Sequence, residues 1–166
     1  MRIERVWAMP NKWTFQIPPI AELVAKYVGD GKGWIDPFAG KSMIVELRND
    51  ATTDQPSKMD AIEYLKKMRT SGTLYNGALL DPPYSFRQLF KTYKTCGDNL
   101  KGRLVPMTEV NNLVAPLIRK NGIVISFGWN SNGLGMKRGF EIQEILIVAH
   151  GGHHNDTIIT VENRRR

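Results

Sequence analysis

Asp81-Pro82-Pro83-Tyr84 closes the apolar run Gly77-Ala78-Leu79-Leu80, and its residue types suit a flat ligand that donates hydrogen bonds. An aspartate accepts hydrogen bonds and an aromatic ring stacks, while each proline stiffens the backbone by fixing φ near about −65°. Proline cannot donate to a sheet ladder, so a strand over 74–80 has to end at Asp81. An acidic, aromatic platform is therefore expected at the carboxyl edge of an open α/β sheet, where such folds bind ligands. A second segment, Trp34-Ile35-Asp36-Pro37-Phe38-Ala39-Gly40-Lys41-Ser42, has the same character of strand followed by acid. Its small residues at 39 and 40 let a ligand approach the backbone, as nucleotide-like cofactors require.

A rival reading makes Ala39-Gly40-Lys41-Ser42 the second half of a phosphate-binding loop. The full pattern needs a glycine five positions before Gly40, where this chain has Ile35. Pro37 also removes an amide that a phosphate cradle would use, and Phe38 crowds the loop, so the rival is set aside. Past Tyr84, the residues Phe86, Arg87, Phe90, Lys91, Tyr93, Lys94, Lys101 and Arg103 interleave rings with cations, as single-strand-binding surfaces do. The plain alternative is an amphipathic helix starting near Ser85 with Phe86 and Phe90 inward. His150, His153, His154 and Asp156 fit a hairpin loop better than a metal site, and no metal is expected.

These residues need a scaffold, and strands and helices alternate along the chain. Ile20, Leu23, Val24 and Tyr27 have helical spacing over 19–28, closed by Gly29. Residues 33–38 form a first strand, and 43–47 lead into or form a second. Ile62, Leu65 and Met68 mark a helix over 60–68, for which Asp60 is a good N-cap. Thr108 is the expected N-cap of a helix carrying Val110, Leu113, Val114, Leu117 and Ile118, kinked at Pro116 and ended by Gly122. Ile123 to Phe127 is another buried strand, and 140–149 with 157–162 form a hairpin. The fold class expected is α/β, a mostly parallel doubly wound sheet with a C-terminal antiparallel hairpin.

With 166 residues the chain fits one domain. No apolar stretch approaches a membrane span, and the N-terminus lacks the apolar core of a signal peptide. The single cysteine, Cys96, cannot form an internal disulfide, which fits a cytoplasmic setting. A net charge of +7 is compatible with a polyanionic partner but does not identify one.

Asp36-Pro37-Phe38-Ala39-Gly40 followed by Asp81-Pro82-Pro83-Tyr84 resembles the amino-methyltransferases of nucleic-acid bases. More narrowly, the chain resembles the small phage-type adenine-specific DNA methyltransferases. Asn11 to Phe15, Asn49-Asp50, Met59-Asp60-Ala61, Phe127 to Asn130 and the stretch from Arg138 to Glu162 support this. The resemblance implies a Rossmann-like class I methyltransferase domain, S-adenosylmethionine as cofactor and DNA as partner. It implies that Asp36, Phe38, Ala39 and Gly40 line the methionine side, with Ser42 standing where the family usually has a second glycine. Asp50 would accept from the ribose hydroxyls and Asp60, beside Ala61, from the adenine amine, while Lys12, Trp13 and Phe15 close over the cofactor.

Asp81, Pro82, Pro83 and Tyr84 would be catalytic. An exocyclic base amine is a poor nucleophile because its lone pair is delocalised into the ring. Hydrogen bonds to the Asp81 carboxylate and the Pro82 carbonyl stabilise charge that develops only in the transition state, and Tyr84 stacks on the base. Phe86, Arg87, Lys91 and Lys94 are the expected substrate contacts. Adenine N6 and cytosine N4, DNA and RNA, and an inactive binding subunit stay open alternatives. Neither the gap between Asp60 and Asp81 nor the end of the chain has room for a recognition domain, since these rarely fall below about 40–50 residues. Discrimination is thus expected to be modest, or supplied by a specificity subunit or a second copy in a homodimer.

Overall fold

The computed structural model describes residues 1–83 and 105–166. In chain order its elements are β1 (Arg2–Trp7), α1 (Pro18–Val28), β2 (Trp34–Asp36), β3 (Leu47–Arg48) and α2 (Ala61–Thr70). They continue with β4 (Tyr75–Leu80), α3 (Met107–Val114), β5 (Ile118–Gly128), β6 (Phe140–Ala149) and β7 (Thr157–Arg164). The strands form one sheet in the order β1-β6-β7-β5-β4-β2-β3. β7 runs antiparallel to both neighbours, and the other pairings are parallel.

Helices cover both faces, because successive residues of the inner strands point to opposite sides. On one face Ile20, Leu23, Val24 and Val28 of α1 pack with Leu79, Ile125, Leu146, Val148 and Ile159. On the other, Tyr64 and Leu65 of α2 and Val110, Leu113 and Val114 of α3 pack with Ile35, Ala78, Leu80 and Val124. Ile35, Leu79 and Ile125 are wholly buried, so truncating Ile125 to alanine should cost about 2–5 kcal/mol. α1 starts on two prolines, whose missing amides are tolerated in a first turn, and Gly29 ends it at φ 61°.

The sequence-based boundaries shift in four places. The strand expected over 43–47 contracts to Leu47–Arg48. α3 begins at Met107 with Pro106 in the cap position and no side-chain cap, so Thr108 lies inside the helix. That helix stops at Val114 instead of reaching Ile118, because Pro116 lacks the amide needed to continue it and directs a 3-10 turn over Ala115–Leu117. β5 then starts at Ile118, before Gly122. It bulges between the Tyr75 and Gly77 pairings, with Asn121 at φ 64°. The fourth difference is β1, which pairs parallel with β6 and answers to no strand expected before α1. No described helix is long and apolar enough to cross a membrane.

Candidate active site

The chain leaves β2 toward β3 on one side and returns to β4 on the other, so a topological switch point falls between β2 and β4. Open α/β sheets bind ligands at the carboxyl side of such a point. Ile35 is paired with Ala78, which brings Asp36 at the end of β2 beside the end of β4, where Asp81, Pro82 and Pro83 follow Leu80. The two Asp-Pro segments picked out in the sequence thus lie on adjacent strands. Pro82 is buried, while Asp81 and Pro83 are half-buried.

Asp36 has no solvent exposure. Its Oδ1 accepts the Phe38 amide at 2.9 Å, and its Oδ2 has no hydrogen-bond partner among the described residues. Burial pushes its pKa well above the ordinary carboxylate value. The Phe38 amide opposes this, the Asp81 and Asp50 carboxylates add to it, and Arg48 works against it. Mutual repulsion among Asp36, Asp50 and Asp81 records their convergence on one edge of the sheet.

The loop after β2 is held by the loop after β3. The Gly40 amide donates to Asp50 Oδ2 at 3.0 Å, and its carbonyl accepts from Gln55 Nε2 at 2.8 Å and from the Thr53 hydroxyl. Gly40 sits at φ 54°, and a Cβ there would meet nothing within 4 Å. The glycine therefore turns its bare side to open space, leaving room for a ligand against the backbone. Ala39 is buried and donates to the Asn49 carbonyl at 2.9 Å. The Ser42 hydroxyl accepts the Ile44 amide at 3.3 Å. Phe38 packs against the α2/α3 core.

Asp50 Oδ1 accepts from the Thr52 amide, the Thr52 hydroxyl and the Thr53 amide, at 2.9, 2.8 and 3.0 Å. Together with its Gly40 contact, this makes it a clip between the two loops. Asp60 caps α2 by accepting from the Ile62 amide at 2.8 Å, with Ala61 buried behind it.

The segment before α1 reaches the same edge. Lys12 Nζ lies 5.1 Å and Lys41 Nζ 5.5 Å from the Trp13 ring centre, which brings Trp13 to the Gly40 loop. Phe15 meets Phe127 near the end of β5 edge-to-face, with centroids 5.3 Å apart. The structure thus gathers Lys12, Trp13, Phe15, Asp36, Phe38, Ala39, Gly40, Ser42, Asp50, Asp81, Pro82 and Pro83 around one edge. Tyr84, Phe86, Arg87, Lys91 and Lys94 lie outside the described residues.

Two residues without an assigned role in the sequence hold this edge together. Asn49 is fully buried; its amide nitrogen donates to the Pro37 and Met59 carbonyls at 3.2 and 2.9 Å, and its Oδ1 accepts the Met59 amide at 3.0 Å. Gln55 bonds the Gly40 and Ser42 carbonyls and accepts from Arg48. A buried amide pairing with backbone groups leaves no spacing pattern, and in the sequence Asn49 stood out only as the neighbour of Asp50 in the resemblance. His150, by contrast, has both ring nitrogens occupied: Nδ1 donates to the Ala8 carbonyl and Nε2 meets the Thr157 hydroxyl, each at 2.9 Å.

The chain has a Rossmann-like class I methyltransferase fold. A putative class I S-adenosylmethionine-dependent methyltransferase from Listeria monocytogenes aligns with a TM-score of 0.53 at 14% identity, over 89% of this chain and 58% of that one. A methyltransferase of 1,6-didemethyltoxoflavin from Burkholderia thailandensis, solved with S-adenosylhomocysteine, aligns at 0.53 and 10% identity, over 89% and 77%. A putative rRNA-methylase from Clostridium thermocellum aligns at 0.51 and 10% identity, over 93% of this chain and 100% of that one. The chain spans between about half and two thirds of the length of several solved structures it matches: 64% of a putative hemolysin from Streptococcus thermophilus, 49% of TrmN from Thermus thermophilus and 58% of the Listeria protein. No family model matches the sequence, and no curated protein does.

Proposed function

We propose that this protein transfers a methyl group from S-adenosylmethionine to the exocyclic N6 amine of adenine in DNA. The observation that carries this reading is the adjacency of Asp36 and Asp81-Pro82-Pro83 across the switch point, with the Asp36 Oδ2 buried and without a partner among the described residues. The residues fit the cofactor: Gly40 opens the backbone, Asp36 offers a free acceptor to its cationic end, and the Trp13 segment reaches over the loop. When bound, the cofactor supplies an electrophilic methyl group. The Asp81 carboxylate and the Pro82 carbonyl accept the two amine hydrogens, drawing nitrogen toward the geometry in which its lone pair can attack. Such acceptors act on charge that grows toward the transition state and are worth about 10²–10³-fold in rate. Asp81 then takes up or relays the proton that nitrogen loses.

DNA as substrate rests on the motif resemblance and is compatible with the net charge of +7. A base in a duplex must be turned out of the stack, at a cost of a few kcal/mol. RNA is the second reading, favoured by the full-length alignment with a putative rRNA-methylase. Calorimetry with S-adenosylmethionine, followed by labelled methyl transfer to duplex DNA, single-stranded DNA and RNA, separates them. Label in DNA at adenine N6 supports the proposal, label in RNA alone favours the second reading, and cofactor binding with no label anywhere sinks both.

A further inference from the structure

Several of the large apolar side chains most open to solvent cluster at the start of the chain: Met1 at 79%, Ile3 at 60%, Trp7 at 65% and Met9 at 68% exposure. Ile3 and Trp7 share one face of β1, with Met1 and Met9 flanking the strand, whereas Val6 on the other face packs into the α1-side core. β1 is the terminal strand of the sheet. The Ala8 amide donates to the Ala149 carbonyl at 3.0 Å, so even-numbered residues bond β6, and Ile3, Arg5 and Trp7 turn their N–H and C=O groups to the open edge. Arg2–Trp7 contains no proline, and its charges alternate in sign through Arg2, Glu4 and Arg5, so an antiparallel partner can pair them.

We propose that β1 is a dimerisation edge, and that two copies of this chain join their β1 strands antiparallel about a two-fold axis at Ile3. Outward-bonding residues must pair with one another, so the axis falls on a residue. A Val6 centre sets Glu4 opposite Ala8 and Arg5 opposite Trp7 with no ion pair across the seam, and an Arg2 centre sets Arg2 against Arg2, which leaves Ile3, Glu4 and Arg5. A Glu4 centre sets Glu4 against Glu4, and an Arg5 centre sets Arg5 against Arg5; like charges directly opposite are destabilising. The Ile3 centre sets Ile3 on Ile3 and Arg2 opposite Glu4 twice, in the non-hydrogen-bonded positions where side chains come closest. Within one chain Arg2 already meets Glu4 at 2.6 Å and Glu144 at 3.8 Å, and the partner strand offers each of Arg2 and Glu4 a further counter-ion.

Nucleic acid is the poorer occupant, because Glu4 and Asp156 stand on this edge, the latter 3.9 Å from Arg5. Four strands separate β1 from β2, about 24 Å at the usual spacing, so the Asp36–Asp81 edge stays open in the dimer. This interface goes beyond the proposed methyl transfer and does not depend on it.

Sedimentation equilibrium without cofactor or nucleic acid tests it, with circular dichroism as the fold control. The wild type is expected to be dimeric, and Arg2→Glu and Glu4→Arg alone should each weaken self-association about tenfold or more, since two attractive pairs become repulsive. An equimolar mixture of the two variants should regain near wild-type association as a heterodimer. Each chain carries its internal repulsions unchanged into that mixture, so the rescue reports on the interface alone. A wild type still monomeric at about 100 µM, or a mixture no tighter than its components, overturns the proposal. A monomer whose Ile3→Lys variant loses DNA binding overturns it in favour of nucleic acid. None of these outcomes bears on methyl transfer.

Discussion

Asp36 at the end of β2 and Glu162 in β7 are both acids with no solvent exposure, and they are treated in opposite ways. Glu162 uses both oxygens: Oε2 accepts the Leu134 amide at 2.6 Å and Oε1 the Gly135 amide at 2.8 Å, tying the loop after β5 to the sheet. A Cβ on Gly133 would collide with that carboxylate, so the loop is fitted around it. Asp36 satisfies only Oδ1 locally and leaves Oδ2 without a partner among the described residues. An unpartnered buried acceptor costs about 1–3 kcal/mol, and a fold does not gain by keeping one without a use. The difference separates a carboxylate that shapes the molecule from one whose second oxygen is left for the proposed cofactor.

The largest expected effect lies beside Asp36. Asp81→Ala should lower methyl transfer at least about 100-fold with cofactor affinity little changed, as measured by single-turnover label transfer. Next comes the loop that Asp36 supports. Gly40→Val forces a branched residue to φ 54° and fills the open space, so calorimetry should show cofactor affinity falling more than about tenfold. Glu162→Ala strips the partner from the buried Leu134 amide and the half-buried Gly135 amide and should cost about 1–3 kcal/mol in urea unfolding, while transfer per folded molecule persists.

The smallest effect concerns pH. Burial raises Asp36 well above its ordinary value, so across that window the folded chain keeps a proton the unfolded chain has released. Stability from this group is full below about pH 4 and declines as pH rises toward the raised value. Asp36→Asn should flatten that decline in urea midpoints. Burial also raises Glu162, against the pull of the Leu134 and Gly135 amides, so Glu162→Gln should flatten the profile less. Equal flattening by both variants would erase the distinction drawn between them.

Much of the positioning of this edge was legible from local rules. Proline after Leu80 had to stop β4, and the helical spacing of Ile20, Leu23 and Val24 had to produce α1. The hairpin of β6 and β7 followed from two apolar runs around a polar loop. β1 was not legible because Arg2, Glu4 and Arg5 interrupt its apolar residues, and an edge strand buries too little to impose a clean alternation. The start of β5 was masked by helical spacing through Leu117 and Ile118, which Pro116 overrides.

At the site, Asp36 and Asp81 could be read from their strand-ending context. Asp60 could be read two ways, and the structure uses it as a helix cap. Asn49 and Gln55 could not be read, because their partners are carbonyls and amides brought close only by the fold.

The most direct test of the central claim is nucleoside analysis of adenine-containing duplex DNA after incubation with labelled S-adenosylmethionine and either wild type or Asp81→Ala, both at saturating cofactor. Labelled N6-methyladenine with the wild type, and almost none with the variant, is the expected result. A wild type that binds cofactor yet leaves adenine unlabelled, or a variant as active as the wild type, would contradict the assignment of this edge to adenine methylation in DNA.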